Sequence, residues 1–231
     1  MFISWAAPTP EQIDAVIRQS QTQSYTYPDI GITESLFTTV PVSTTYAMDH
    51  NRIKVGTGQE IFTRAKQALI QWRMCNLGWA NICGTNKPID PGAVIACVPN
   101  LFGIWFINPC RVVYNIDESV DDVTRFGLAY GTLPGHAAMG EERFLVEWYH
   151  ADDSVWYDIL AFSRPGHLLA QLGHPVMRLF QKRYGRDSEQ MMAVNCAKNG
   201  CAPVFGIAEK DSLNRPQQYQ KCDMHRQKII V

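Results

Sequence analysis

In the stretch YGTLPGHAAMGEERF, residues 130–144, a histidine, two adjacent glutamates and an arginine sit among three glycines and a proline. These residue types could do acid–base chemistry. An imidazole titrates near neutrality, and a carboxyl turned into a pocket can take or give a proton or hold a cation. One reading is therefore a small enzyme that uses His136 and a glutamate as acid and base in proton transfer or hydrolysis. The strand carrying the glutamates limits that reading. Successive strand side chains point to opposite faces, so Glu141 and Glu142 cannot both serve one reacting atom. The rival reading is a strand-to-strand corner. Gly131 and Gly135 permit positive φ and Pro134 fixes a turn, while His136 and one glutamate become hydrogen-bonded corner residues, paired with Arg143, Arg125 or Arg164. Arg164, after a strand and before Pro165, is placed to receive a carboxylate bidentately or to tie the sheet to the last helix.

Other chemistry-bearing residues are sparser. Asp49-His50-Asn51 precedes a strand and could face the same pocket, although an isolated histidine is usually a satisfied polar residue. Trp72, Trp79, Trp105, Trp148 and Trp156 could stack on a flat ligand, but aromatics at helix and strand periods mostly fill cores. There is no serine nucleophile elbow, phosphate-cradling Gly-Lys loop or HExxH helix, and GTG at 56–58 lacks the rest of a dinucleotide fingerprint. Cys196, Cys201, Cys222 and His225 offer thiolates and an imidazole of the kind that suits tetrahedral zinc. Their spacing is loose and lacks knuckle turn chemistry, so no metal is expected.

The totals narrow the classes. The 231 residues are 46% hydrophobic and 19% charged, enough for a real core. Twenty-one basic residues against twenty-two acidic ones, with no run of like charge, make nucleic acid a poor partner. No apolar run approaches the ~20 residues of a membrane-spanning helix. The opening MFISWAAPTPEQ has no basic region and too short an apolar run for secretion. Seven scattered cysteines suit buried thiols in a reducing, cytoplasmic setting.

The elements that must position these residues read as follows. Thr9-Pro10-Glu11-Gln12 starts a short helix that runs to about Ser20, and residues 21–47 form an extended wrapping segment. His50–Gly56 is a strand. Thr57-Gly58-Gln59-Glu60 repeats the capping-box pattern ahead of a helix over 59–74. Strands are predicted at Ala93–Val98, Ile104–Ile107, Arg111–Ile116, Phe126–Tyr130, Arg143–His150 and Val155–Phe162, the last two joined by a hairpin at 151–154. Phe144, Val146 and Trp148 form one face and Val155, Tyr157 and Ile159 another, while the opposite faces are mixed, as in a curved sheet lining a cavity or a half-exposed one. Leu168, Leu169, Leu172, Val176, Leu179, Phe180 and Tyr184 then make a helical stripe, with a bend predicted at Gly173-His174-Pro175. This order indicates an α+β fold whose antiparallel sheet curves around a long C-terminal helix. Residues 1–194 are expected to form one domain and 195–231 a loosely ordered extension.

The blocks DHNRIKVGTGQEIFTRAKQALIQWRMCNLGW, NPCRVVYNIDE, RFGLAYGTLPGHAAMGEERFLVEW and DDSVWYDILAFSRPGHLLAQLGHPVMRLFQKRYGRDS resemble the domain-of-unknown-function "nineteen-ninety" family, also called uncharacterised protein family 0548. The resemblance runs from near residue 1 to about 193. It implies one compact domain, akin to the helix-grip folds of START and Bet v 1 type, around an apolar cavity. It carries no activity, and it gives no role to its motif positions Tyr130, Gly131, Pro134, Gly135, His136, Gly140, Glu141, Glu142, Arg143, Ser163, Arg164 and Pro165. The function expected is binding of an apolar or amphipathic small molecule between sheet and last helix. Tyr130, His136, Glu142, Arg143, Arg164 and Trp156 are the expected contacts, several of them at the mouth. A membrane-associated or pore-forming assembly is a third reading, drawn from the alternating strands alone.

Overall fold

Thr9 starts the first helix as its neighbours require. In the computed structural model, which describes residues 1–34, 46–84, 89–166 and 174–197, α1 spans Pro10–Ser20 and carries a complete capping box. The Gln12 N–H donates to Thr9 Oγ1 at 3.3 Å and the Thr9 N–H donates to Gln12 Oε1 at 2.8 Å. Two donors that a helix start leaves orphaned are thereby satisfied. Ile13 and Ile17 bury the apolar face of α1 in a cluster with Val94, Val98, Trp105 and Ile107.

The second predicted capping box does not form. Thr57 stays in strand β2 (Ala47–Thr57), so the cap falls on Gly58, which has no side chain to offer and whose N–H donates to Asp153 O at 2.9 Å. Helix α2 runs over Gln59–Ile70, shorter than the predicted 59–74. It stops because Trp72 takes a left-handed φ of 55° and Arg73–Cys75 tightens into a 3₁₀ turn, which buries Trp72, Met74 and Cys75 together.

The remaining strands are β1 (Phe2–Ser4), β3 (Ala80–Cys83), β4 (Val94–Leu101), β5 (Ile104–Val120), β6 (Val123–Thr132), β7 (Ala138–Tyr149) and β8 (Ser154–Pro165). They form one antiparallel sheet in the order β2-β8-β7-β6-β5-β4-β3, with β1 on β5. The two strands predicted at Ile104–Ile107 and Arg111–Ile116 are a single strand. Pro109 is tolerated inside it because β5 changes neighbour there, from β1 up to Ile107 to β6 from Cys110 onward. The Pro109 carbonyl accepts from the Leu133 N–H at 3.1 Å on that edge, so the missing N–H faces the gap between partners. Register shifts at Lys54/Gly56 and Val112/Tyr114 add curvature, and the second one moves Tyr114 and Ile116 to the face opposite Val112.

The C-terminal helix α3 covers His174–Cys196 and lies with α2 on the concave face of the sheet. Leu69, Leu128, Phe144, Val146, Tyr157 and Met192 meet there in the main core, each large side chain contributing roughly 1.5–3 kcal/mol by burial. Leu168, Leu169, Leu172 and Gly173, where the stripe and its bend begin, lie outside the described residues. The predicted alternation along β7 and β8 is correct: Phe144, Val146, Val155, Tyr157 and Ile159 face the helices. The opposite, convex face is partly covered by residues 25–34, part of the predicted wrapping segment, with Tyr27 buried and a 3₁₀ turn at Ile32–Glu34. Among the described residues no helix is long and apolar enough to cross a membrane.

Candidate functional site

Between the concave face and α3 the packing leaves a cavity of about 530 Å³. Its floor is Ile159 and Ala161 from β8 with Tyr130 and Glu142 from β6 and β7. Its walls include Cys97, Pro99 and Leu101 from β4, Phe106 from β5 and Trp79, and Phe180 and Tyr184 of α3 close it from above. Asp49 and Asn51 line it from β2. The glycine-proline corner borders the same space through His136, Ala137 and Ala138.

The corner is well satisfied internally. The His136 N–H donates to Leu133 O at 3.1 Å, Gly135 takes a φ of 100°, and Leu133 is fully buried. His136 Nδ1 lies 2.9 Å from the Ala138 nitrogen and 3.0 Å from the Ala138 carbonyl oxygen, so the backbone of Ala138 holds the ring in either tautomer. Burial lowers the His136 pKa to about 4, with the backbone at Ala138 opposing it. The ring is therefore neutral across the physiological range and is a poor base.

Beyond the corner, Gly140 lets β7 run against β8. A Cβ on Gly140 would stand 1.9 Å from Phe162 O. From that point the strand places Glu141 and Glu142 on opposite faces, as its pleat requires. Glu141 turns to the convex face and accepts from Tyr27 OH at 2.7 Å, the Gly31 N–H at 2.8 Å, the Thr33 N–H at 3.1 Å and the Thr33 hydroxyl. Glu142 turns into the cavity, where Tyr130 OH donates to its Oε2 at 2.5 Å. Among the described residues Oε1 accepts no hydrogen bond. Burial raises the Glu142 pKa to about 7, with Asp49 adding to the rise and the Tyr130 hydrogen bond opposing it.

Three of the six predicted contacts, Tyr130, His136 and Glu142, thus meet at one cavity. The other three do not stand at its mouth. Arg143 follows Glu142 in the strand and must face the other way; it is 3% exposed, donating to Asp158 Oδ1 at 2.8 Å and Thr33 O at 2.9 Å. Trp156 lies on the convex face under the Arg52 guanidinium, 4.8 Å from the ring centre. Arg164 stacks on Tyr46 at 5.0 Å and binds no carboxylate among the described residues. Arg178 of α3 supplies the bidentate pair instead, with Asp49 at 2.5 and 2.6 Å, and Gln181 Nε2 donates to Ser163 Oγ at 2.9 Å. These bonds tie the start of α3 to β2 and β8 at the edge of the cavity.

Asp49 and Asn51 face the cavity while His50 between them faces away, with Nε2 donating to Asp158 Oδ2 at 2.7 Å. Period two in β2 carried that signal. The contribution of Trp79, whose Nε1 donates to Asp187 at 2.7 Å, and of Phe106 had no comparable sequence signal. Burial raises the thiols lining or neighbouring the cavity, Cys97 to about 12 and Cys75 and Cys110 well up, so none is an activated nucleophile. Of the zinc candidates, Cys196 ends α3 fully buried with its thiol raised to about 11, and Cys201, Cys222 and His225 lie outside the described residues.

A family model described as a domain of unknown function (DUF1990) matches residues 26–191. A UPF0548 protein of Dictyostelium discoideum is 32% identical over 206 residues, covering 83% of this chain and 95% of its own. A UPF0548 protein of Arabidopsis thaliana is 32% identical over 199 residues, covering 82% and 95%. Among solved structures, a hypothetical protein of Helicobacter pylori has a TM-score of 0.48 at 14% identity, covering 68% of this chain and 92% of its own. Ara h 8.0201 has a TM-score of 0.40 at 9% identity, covering 64% and 97%.

Proposed function

The chain belongs to the DUF1990 family, and we propose that it is a small-molecule binding protein, holding an apolar or amphipathic ligand between the concave sheet face and α3. The observation that carries this reading is the cavity of about 530 Å³, walled by aromatic and aliphatic side chains and ending in Tyr130, Glu142 and His136. That volume falls within the range ligand pockets use, and a few convergent polar groups in an apolar lining are how such pockets fix orientation. The apolar part of the ligand lies along Phe180, Tyr184 and Ile159. Its polar end meets Tyr130 and Glu142.

A neutral solvatochromic dye such as Nile red tests this directly. Saturable one-to-one fluorescence enhancement is expected in the wild type, with loss of that signal when Ala161→Phe fills the floor. A wild type that shows no saturable signal, together with no small molecule retained in native mass spectrometry of fresh protein, removes the reading.

A second reading has one specific observation behind it. A carboxyl with a pKa of about 7 facing a cavity is suited to general acid–base catalysis, and of His136, Glu141 and Glu142 it is Glu142 that fits the role, because His136 is neutral and Glu141 faces the other side. Turnover of an identified substrate that survives Glu142→Gln unchanged would rule it out.

A further inference from the structure

Glu142 has few partners for a buried carboxyl that lines a cavity. Tyr130 serves Oε2, and Oε1 has no donor among the described residues. Among the described residues lining the cavity there is no lysine or arginine. Among the described residues, the ionisable groups that interact with Glu142 are themselves acids. They are Tyr130 of β6, Tyr157 of β8, Tyr184 of α3, Cys97 of β4, Cys110 of β5, Cys75 after α2, and Asp49 of β2. Arg178, whose partner Asp49 lines the cavity, is committed to that carboxylate through two hydrogen bonds. Met1 also lines the cavity, but its nitrogen stands at the Gly135 corner and is not among the charges acting on Glu142.

A cavity built this way discriminates by charge. A ligand carboxylate or phosphate would be desolvated beside a carboxyl with no cation to offset either. An ammonium group would give Glu142 the partner it lacks and donate to the vacant Oε1, making a charge-assisted hydrogen bond in a place shielded from water.

Resting on the binding role proposed above, we infer that the ligand class is an amphipathic amine, bound with its protonated nitrogen on Glu142 and its apolar body along α3. Binding such a cation requires Glu142 ionised. Because burial holds its pKa at about 7, binding below neutrality expels a proton and weakens about tenfold per pH unit. Above about 7 the affinity levels off until the amine itself loses its charge near ~10.

Isothermal titration of the full chain with decylamine, decanol and decanoate separates the possibilities. At pH 8 decylamine is expected to bind about tenfold or more tighter than decanol, with decanoate weakest. The advantage should shrink toward pH 5 and vanish in Glu142→Gln, whose amide still accepts from Tyr130. Tyr130→Phe removes the hydrogen bond that favours the carboxylate, so it should move the midpoint of the amine profile above 7. If decanol or decanoate matches decylamine, or the amine advantage survives Glu142→Gln, the amine inference is overturned while the cavity reading stands. If none of the three binds while Nile red does, the amine inference is likewise overturned and the cavity reading stands; if the dye and native mass spectrometry are negative as well, both fall.

Discussion

The two faces of β7 and β8 are built from alternate residues of the same strands, and they differ most at Glu141 and Glu142. On the convex face Glu141 is 2% exposed and takes four hydrogen bonds from Tyr27, Gly31 and Thr33. Beside it Arg143 pairs with Asp158, Asp158 also accepts from His50, and Glu147 accepts from Arg52 at 2.7 Å and Arg125 at 3.1 Å. Every acid there has its donors. On the concave face Glu142 has one phenol among the described residues. Acids whose donors are all in place hold a structure together, whereas a carboxyl with an open oxygen in an apolar hollow has capacity left for something else.

The largest test of that contrast is Arg143→Met. It removes the buried donor to Asp158 Oδ1 and to Thr33 O while His50 stays on Asp158 Oδ2, so urea unfolding should show a loss of about 3 kcal/mol, with dye binding in the cavity unchanged. Glu141→Gln comes next. The amide would turn a donor toward donors, costing about 1.5–3 kcal/mol in the same measurement.

Glu142→Gln should act in the opposite direction. The folded pKa of about 7 lies above the ordinary 4.5, so Glu142 favours the native state fully below pH 4.5 and that contribution is lost as pH rises through 7. The variant removes this dependence. At pH 8 it should be more stable than wild type by about 1–3 kcal/mol, and the gain should disappear near pH 4.5. A stability loss at pH 8 would place Glu142 with Glu141 as a structural acid. The smallest effect is expected from Trp156→Leu, which deletes the stacking partner of a half-exposed Arg52 on the convex face for about 0.5–1 kcal/mol. Any change in ligand affinity with that substitution would contradict the separation of the two faces.

Much of this organisation was readable from residues alone. The Thr9 capping box, the hairpin at 151–154, the alternation of Phe144, Val146, Tyr157 and Ile159 and the opposed glutamates all follow from local rules that tertiary structure left intact. The same pleat that separates Glu141 from Glu142 also separates Glu142 from Arg143, and it puts Trp156 and Arg164 on the convex side. The predicted cluster at the mouth overlooked that parity.

Other features depended on distant partners. Thr57 could not cap α2 because β8 kept it in a strand, and Pro109 split one strand into two on paper because its missing N–H falls where β5 changes neighbours. The tie between Arg178 and Asp49 spans residues that no local period connects.

The tight seat of Gly140 against Phe162 pins the phase of everything that follows it along β7. Insertion of a single residue directly after that glycine would exchange the inward and outward carboxyls, burying a four-donor acid in the hollow and presenting the lone one to Tyr27 and Thr33. Chemical character at this location can therefore be altered by replacing a side chain, whereas any shift in chain length there would scramble fold and recognition in one stroke.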